Sequence, residues 1–171
     1  MELFTTQRLI VRELDFDDEE SLFAVYSDPE AMRWVDDGQP IPRGDCTRWI
    51  EVTRRNYATR GYGMSAVVLA ESGEVVGYCG LVHPGGQEEA EVKYAFLRAH
   101  WGAGLATETV TAMIEWGRER FGLRRVIATL SPENLASKRV LEKSGLASIE
   151  VRRDEDGSEV LVMAWEASTG A

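Results

Sequence analysis

Apolar positions along this chain follow two periods. Val92, Tyr94 and Phe96 fall at every second residue of Glu91–Leu97, the mark of a half-buried strand. Leu105, Thr109, Met113, Gly117 and Phe121 then recur at every fourth position, with Val110 and Ile114 beside them. That spacing predicts a helix with one apolar face, and Gly122-Leu123 supplies its left-handed stop. The rest of the chain reads in the same way. Leu9–Leu14 is a first strand, and Asp17-Asp18-Glu19-Glu20 has the capping-box form of a helix carrying Leu22, Phe23 and Tyr26. Asp28-Pro29 opens a short helix that leads Met32 and Trp34 toward a loop at Val35–Pro42. A longer helix, roughly Asp45–Thr59, carries Trp49, Ile50, Thr53 and Tyr57 and ends at Gly61 and Gly63. Met64–Ala70 and Glu74–His83 are strands joined by a tight turn at Glu71-Ser72-Gly73, and Pro84–Gln87 separates them from Glu91–Leu97. After the long helix come a strand at Arg124–Leu130, a helix at Leu135–Ser144 and two strands, Ala147–Arg153 and Glu159–Trp165.

This order describes an α/β protein with a central mixed, mostly antiparallel twisted sheet of about seven strands and four to five helices. Three strands in series with short turns form an antiparallel meander, and the strand–helix–strand unit that follows adds a parallel pair. Where the two modes meet, between the fourth and fifth strands, the sheet is expected to splay. A single domain over residues 1–166 fits the length of 171, with residues 167–171 as a frayed tail.

Trp101-Gly102-Ala103-Gly104-Leu105-Ala106 packs small residues between a strand and a helix N-terminus. The first amides of a helix lack internal partners, and the macrodipole favours an anion there. Glycines let a phosphate approach those amides. Two nucleotide-binding loops are excluded. The NTPase loop ends in Gly-Lys-Ser/Thr, absent here, and Thr107 occupies the last glycine position of the dinucleotide fingerprint.

Charge narrows the partners. The formal net charge is −10, which argues against nucleic acid, since that partner requires a basic face. An acidic protein suits a cationic substrate such as a protonated amine. No apolar run is long enough to cross a bilayer, and the amino terminus carries no secretory signal, so a cytoplasmic protein without a membrane partner is expected. Cys46 and Cys79 form no metal spacing and read as reduced thiols; no metal is expected.

Trp101–Ala106 resembles the pyrophosphate loop of the GNAT N-acetyltransferases, Arg/Gln-x-x-Gly-x-Gly/Ala, with Gly104 and Ala106 fitting and Trp101 standing where Arg or Gln is usual. Trp-Gly-x-Gly-x-Ala-Thr-Glu through Glu108 is the form of the RimJ/RimL-type branch. Asn134-Leu135-Ala136-Ser137-Lys138-Arg139-Val140-Leu141-Glu142-Lys143-Ser144-Gly145 is similar to the second signature of that branch, and Thr6–Arg12 to its usual opening. The element order matches from end to end. The resemblance implies a GNAT fold and acetyl transfer from acetyl-CoA to a primary amine, either a protein N-terminus or a small amine. It further implies direct attack in a ternary complex, by a monomer or homodimer. A non-catalytic acyl-CoA sensor or scaffold of the same fold is the alternative.

It also nominates residues. Cofactor contacts fall to Phe96, Leu97, Trp101, Gly102, Ala103, Gly104, Leu105, Ala106, Thr107, Asn134, Ser137 and Arg139. Asn134 would meet the pantetheine arm, or act only as a helix cap. Ser137 would return a proton to the leaving thiolate, or only bond the backbone. Glu91 is the candidate base; its plain alternative is a solvated edge charge beside Lys93. Trp34, Tyr62 and His83 are candidates for the acceptor pocket. Tyr94 reads as core, and Glu108 as a complement to its helix N-terminus.

Overall fold

The computed structural model describes residues 1–35 and 38–170. Among them lie eight strands and five α-helices. In chain order these are β1 (Glu2–Thr5), β2 (Leu9–Glu13), α1 (Glu19–Tyr26), α2 (Pro29–Met32), α3 (Arg43–Arg60), β3 (Met64–Leu69), β4 (Val75–Val82), β5 (Ala90–Phe96), α4 (Leu105–Phe121), β6 (Arg125–Leu130), α5 (Leu135–Lys143), β7 (Ala147–Arg153) and β8 (Glu159–Glu166).

One sheet takes all eight strands in the order β1-β2-β3-β4-β5-β6-β8-β7. Neighbours are antiparallel except β5 and β6, which run parallel. That parallel pair holds register only at Ala90–Val126 and Glu91–Ile127, whereas β4 and β5 stay paired from Gly77–Phe96 to Val82–Glu91. Beyond Glu91 the two strands diverge, which is the expected splay.

Helices cover both faces. On one, α4 and α5 bury Val110, Met113, Ile114 and Leu141 against Val11, Val67, Leu81, Val92 and Phe96. A fully buried side chain of this kind contributes about 1.5–3 kcal/mol, so α4 holds to the sheet through its apolar stripe. Gly117 sits where α4 passes close to the sheet. A Cβ there would lie 2.7 Å from Leu81 Cδ1. On the other face, α1, α2 and α3 close a second cluster of Leu22, Val25, Met32 and Ile50 over Ala66, Tyr78 and Ala95.

Three expectations change. The sheet gains β1, four residues at the amino-terminal edge that pair with β2. The first capping box is built two residues earlier than Asp17. Asp15 caps a 3-10 turn over Phe16–Asp18, and Asp18 reaches back to the Asp15 N–H at 2.8 Å. Asp18 is buried, and Arg12 holds it at 2.7 Å. The long early helix begins at Arg43 rather than Asp45 and ends with Gly61 in the left-handed region, φ 85°. In the Val35–Pro42 loop, Asp36 and Asp37 lie outside the described residues, as does Ala171 of the tail. Ala167 is tied by its N–H to Arg124 O at 2.8 Å.

Candidate active site

The divergence of β5 from β6 exposes backbone polarity inside the sheet. The Leu97 N–H donates to Val76 O, so alternate β5 residues point their N–H groups toward β4. The N–H and C=O groups of Val92, Tyr94 and Phe96 therefore point toward β6; the register with β6 ends at Glu91–Ile127, so the N–H groups of Tyr94 and Phe96 lie beyond it. Side chains alternate too. Val92, Tyr94 and Phe96 face α4 and α5, while Glu91 and Ala95 face the α1–α3 side.

Glu91 is not a solvated edge charge. It is 3% exposed and closes the narrow end of the gap. Its Oε1 accepts from Thr129 Oγ1, and its Oε2 accepts from Gln87 Nε2 at 3.3 Å. Among the described residues no Lys, Arg or His forms an ion pair with it. Thr129 is exposed, so the carboxylate is one hydroxyl away from solvent on the α1–α3 face.

Across the gap, on the other face, Tyr94 reaches α5. Its hydroxyl lies 2.5 Å from Ser137 Oγ, and the Ser137 N–H donates to Asn134 Oδ1 at 3.2 Å. Asn134 is thus the N-cap of α5. Burial pushes the Tyr94 hydroxyl up to about 12, against the opposing bond from Ser137, so it keeps its proton at neutral pH. Tyr94 packs on the main core as its spacing implies, yet its hydroxyl passes beyond that core to a candidate catalytic side chain.

The loop between β5 and α4 has the backbone form that anion binding requires. Gly102 and Gly104 take left-handed backbone, φ 77° and 79°, which a side chain would disfavour by about 1–2 kcal/mol. Among the described residues, the main-chain N–H groups of Gly102 through Thr107 meet no acceptor. Trp101 stands outside that run, half exposed, and its indole N–H donates to Phe96 O at 2.9 Å. It ties the loop to the end of β5 instead of supplying a cation. Phe96 is buried and Leu97 packs toward the second core cluster. Arg139 is exposed on α5 beside Lys138, which pairs with Glu142 at 3.7 Å.

The three pocket candidates separate into two places. Tyr62 and His83 come together, with the Tyr62 hydroxyl on His83 Nε2 at 2.7 Å. His83 Nδ1–H donates to Gln87 O at 3.0 Å, so Nε2 is the acceptor of the Tyr62 proton. Tyr62 is buried edge-on against Phe121. Trp34 follows α2 under the Arg33 guanidinium, 4.8 Å from the ring centre, and among the described residues no hydrogen bond or ring contact joins it to that pair. Four side chains at the site were not singled out by sequence reasoning: Gln87, Thr129, Tyr94 as a partner of Ser137, and Arg8. Gln87 joins the two groups, since its carbonyl takes His83 and its amide takes Glu91.

Comparison with known proteins bears on the family and the fold. The family model described as an acetyltransferase (GNAT) domain matches residues 8–147. An N-acetyltransferase of Bacillus subtilis, YnaD, is 28% identical over 142 residues, covering 83% of this chain and 81% of its own. YkkB of the same organism is 32% identical over 146 residues, covering 82% and 83%. In structure, RimL, a ribosomal L7/L12 α-N-protein acetyltransferase in complex with coenzyme A, superposes with a TM-score of 0.84 at 16% identity, over 99% of this chain and 100% of that one. With the family match spanning most of its length, the chain belongs to the GNAT acetyltransferases, enzymes whose acetyl donor is acetyl-CoA.

Proposed function

We propose that this chain acetylates a primary amine by direct attack in a ternary complex, with Glu91 as the base and the Tyr94–Ser137 pair serving the leaving sulfur. The observation that carries the reading is the parting of β5 from β6 directly after Glu91. It parts the two strands between a carboxylate on one face and two bonded hydroxyls on the other.

The residues suit acetyl-CoA. The open N–H groups of Gly102–Thr107 would hold its diphosphate, and Asn134 and the unpaired edge of β5 would take amide groups of the pantetheine arm. When bound, it supplies a thioester carbonyl open to attack and a thiolate leaving group.

The chain's own groups then divide the work. An amine enters as an ammonium, with an ordinary pKa of about 8 for an α-amino group or 10.4 for lysine. Glu91, reached through Thr129 on the α1–α3 face, accepts its proton. The N–H groups of Tyr94 and Phe96 point into the gap and are donors for a developing oxyanion. On the α4–α5 face Ser137 returns a proton to sulfur, with Tyr94 as its hydrogen-bonded neighbour. Holding the two reactants in line contributes on the order of 7–11 kcal/mol, and a base about 10²–10⁴ in rate, so no one side chain is indispensable.

A nitrogen acceptor is supported by the α-N-protein specificity in the RimL name and by the acidic charge of the chain. A protein N-terminus and a small amine both satisfy this chemistry. The test is thiol release from acetyl-CoA with a panel of N-terminal peptides and small amines. Turnover of at least one amine is expected, with both substrates bound before thiol appears. Tight coenzyme A binding with no thiol release from any amine would replace this reading with that of a sensor.

A further inference from the structure

The acidic first turn of α4 poses a problem for anion binding. Glu108 stands there beside the loop, and its charge suits the helix dipole but repels a diphosphate. Burial pushes Glu108 up, but the Thr6 hydroxyl, the Arg8 main-chain N–H and the Arg8 guanidinium outweigh it and hold the carboxyl below its ordinary range. The carboxylate therefore stays charged. Its partners come from the β1–β2 turn, a hundred residues away in sequence. Thr6 Oγ1 donates at 2.7 Å, the Arg8 N–H at 3.0 Å and Arg8 Nε at 2.7 Å, with Arg8 Nη2 also at 2.7 Å. Arg8 Nη1 donates to Ala103 O, inside the loop, at 2.8 Å.

From this geometry we infer that Arg8 is a positioning residue for the donor's diphosphate. It offsets the Glu108 charge and draws the Ala103 carbonyl aside, so that the loop turns N–H groups alone toward the anion. The cation that the loop lacks at Trp101 thus reaches it from the other end of the chain. This deepens the proposed function and rests on its placing of the diphosphate at residues 102–107.

The experiment compares coenzyme A with pantetheine, which has no diphosphate, by NMR titration of the parent protein, Arg8→Gln, Arg8→Lys, Glu108→Gln and the double variant Arg8→Gln/Glu108→Gln. Arg8→Gln should weaken coenzyme A by about tenfold, the worth of one charge-assisted contact, and leave pantetheine within about twofold. Arg8→Lys should recover part of the loss. The double variant should recover most of it, because the carboxylate that needed offsetting is gone. A buttress that only held the loop together would predict the opposite, with the double variant as weak as Arg8→Gln or weaker. That outcome, or an equal loss for both ligands, overturns the role of Arg8 while leaving the diphosphate loop in place. If the parent binds coenzyme A no better than pantetheine, the loop does not hold the diphosphate, and the underlying reading falls with the proposal.

Discussion

Replacing Glu91 with Gln separates chemistry from architecture. The carboxylate is buried without a cation and held by two neutral donors, Thr129 and Gln87. Burying an ion costs several kcal/mol, and each hydrogen bond to it returns about 1.5–3 kcal/mol, so the site is close to balance. Gln is isosteric. Its NH2 can meet Thr129, whose hydroxyl rotates to accept, while its oxygen takes the Gln87 amide. The variant exchanges two charged bonds for two neutral ones of about 0.5–1.5 kcal/mol and sheds the buried charge. Stability should therefore change by no more than about 2 kcal/mol, a Tm shift below roughly 8 °C for a chain of this size. A protein with about 5–15 kcal/mol to lose stays folded under that change. The rate should fall by about 10²–10⁴, equivalent to about 3–5 kcal/mol of barrier. The assay is thiol release across pH with an amine the parent turns over, beside thermal unfolding. Without a base, kcat/KM of the variant should climb about tenfold per pH unit until the amine's own pKa, near 8 or 10.4, while the parent levels off earlier. A rate within about threefold of the parent, or a large loss of Tm that accounts for the loss of rate, would show that Glu91 only holds β5 to its neighbours.

Other expectations follow from single contacts. Tyr94→Phe removes the hydroxyl 2.5 Å from Ser137 and should lower kcat about tenfold with coenzyme A affinity within about twofold, read by steady-state kinetics and titration. Because burial raises Tyr94 to about 12, its proton is fully present below that value and lost only above it, so the parent's pH profile should show no break from Tyr94 up to pH of about 10.5. Asn134→Ala deletes the cap that accepts the Ser137 N–H and should lower stability by about 1 kcal/mol in urea unfolding. Gly80→Ala places a Cβ 2.3 Å from Gly63 O, a backbone atom that cannot step aside, and should destabilise the β3–β4 pairing by about 1–3 kcal/mol, read as a lower Tm.

Local spacing was enough for most of the fold. The four-residue recurrence from Leu105 to Phe121 marks the face that α4 buries, and the period-two run at Val92, Tyr94 and Phe96 marks the face of β5 beneath it. What local spacing lacks is distance. β1 was missed because four residues, half of them exposed, make too short a run to show a period; they become a strand through Val11 and Ile10 of β2. Glu91 could be assigned to a face, but whether that face was open depended on Gln87 before the strand and Thr129 on β6. Period two groups Tyr94 with Val92 and Phe96, yet it describes where a ring starts and not where its hydroxyl ends.

The same limit explains why the catalytic candidates could be named singly but not as a set. Glu91 and Ser137 lie on opposite faces of the sheet, an arrangement a continuous sheet would keep apart. They can serve one reaction only where the sheet parts, and this sheet parts at the parallel junction of β5 and β6, where β6 is set by the crossover through α4 and not by a hairpin with β5. The helix that makes this crossover is also the helix whose N-terminus ends the loop of Gly102 and Gly104. The small-residue loop and the parting of β5 from β6 are thus consequences of one connection, and a change that pulled β6 into full register with β5 would undo that parting even with every candidate residue intact.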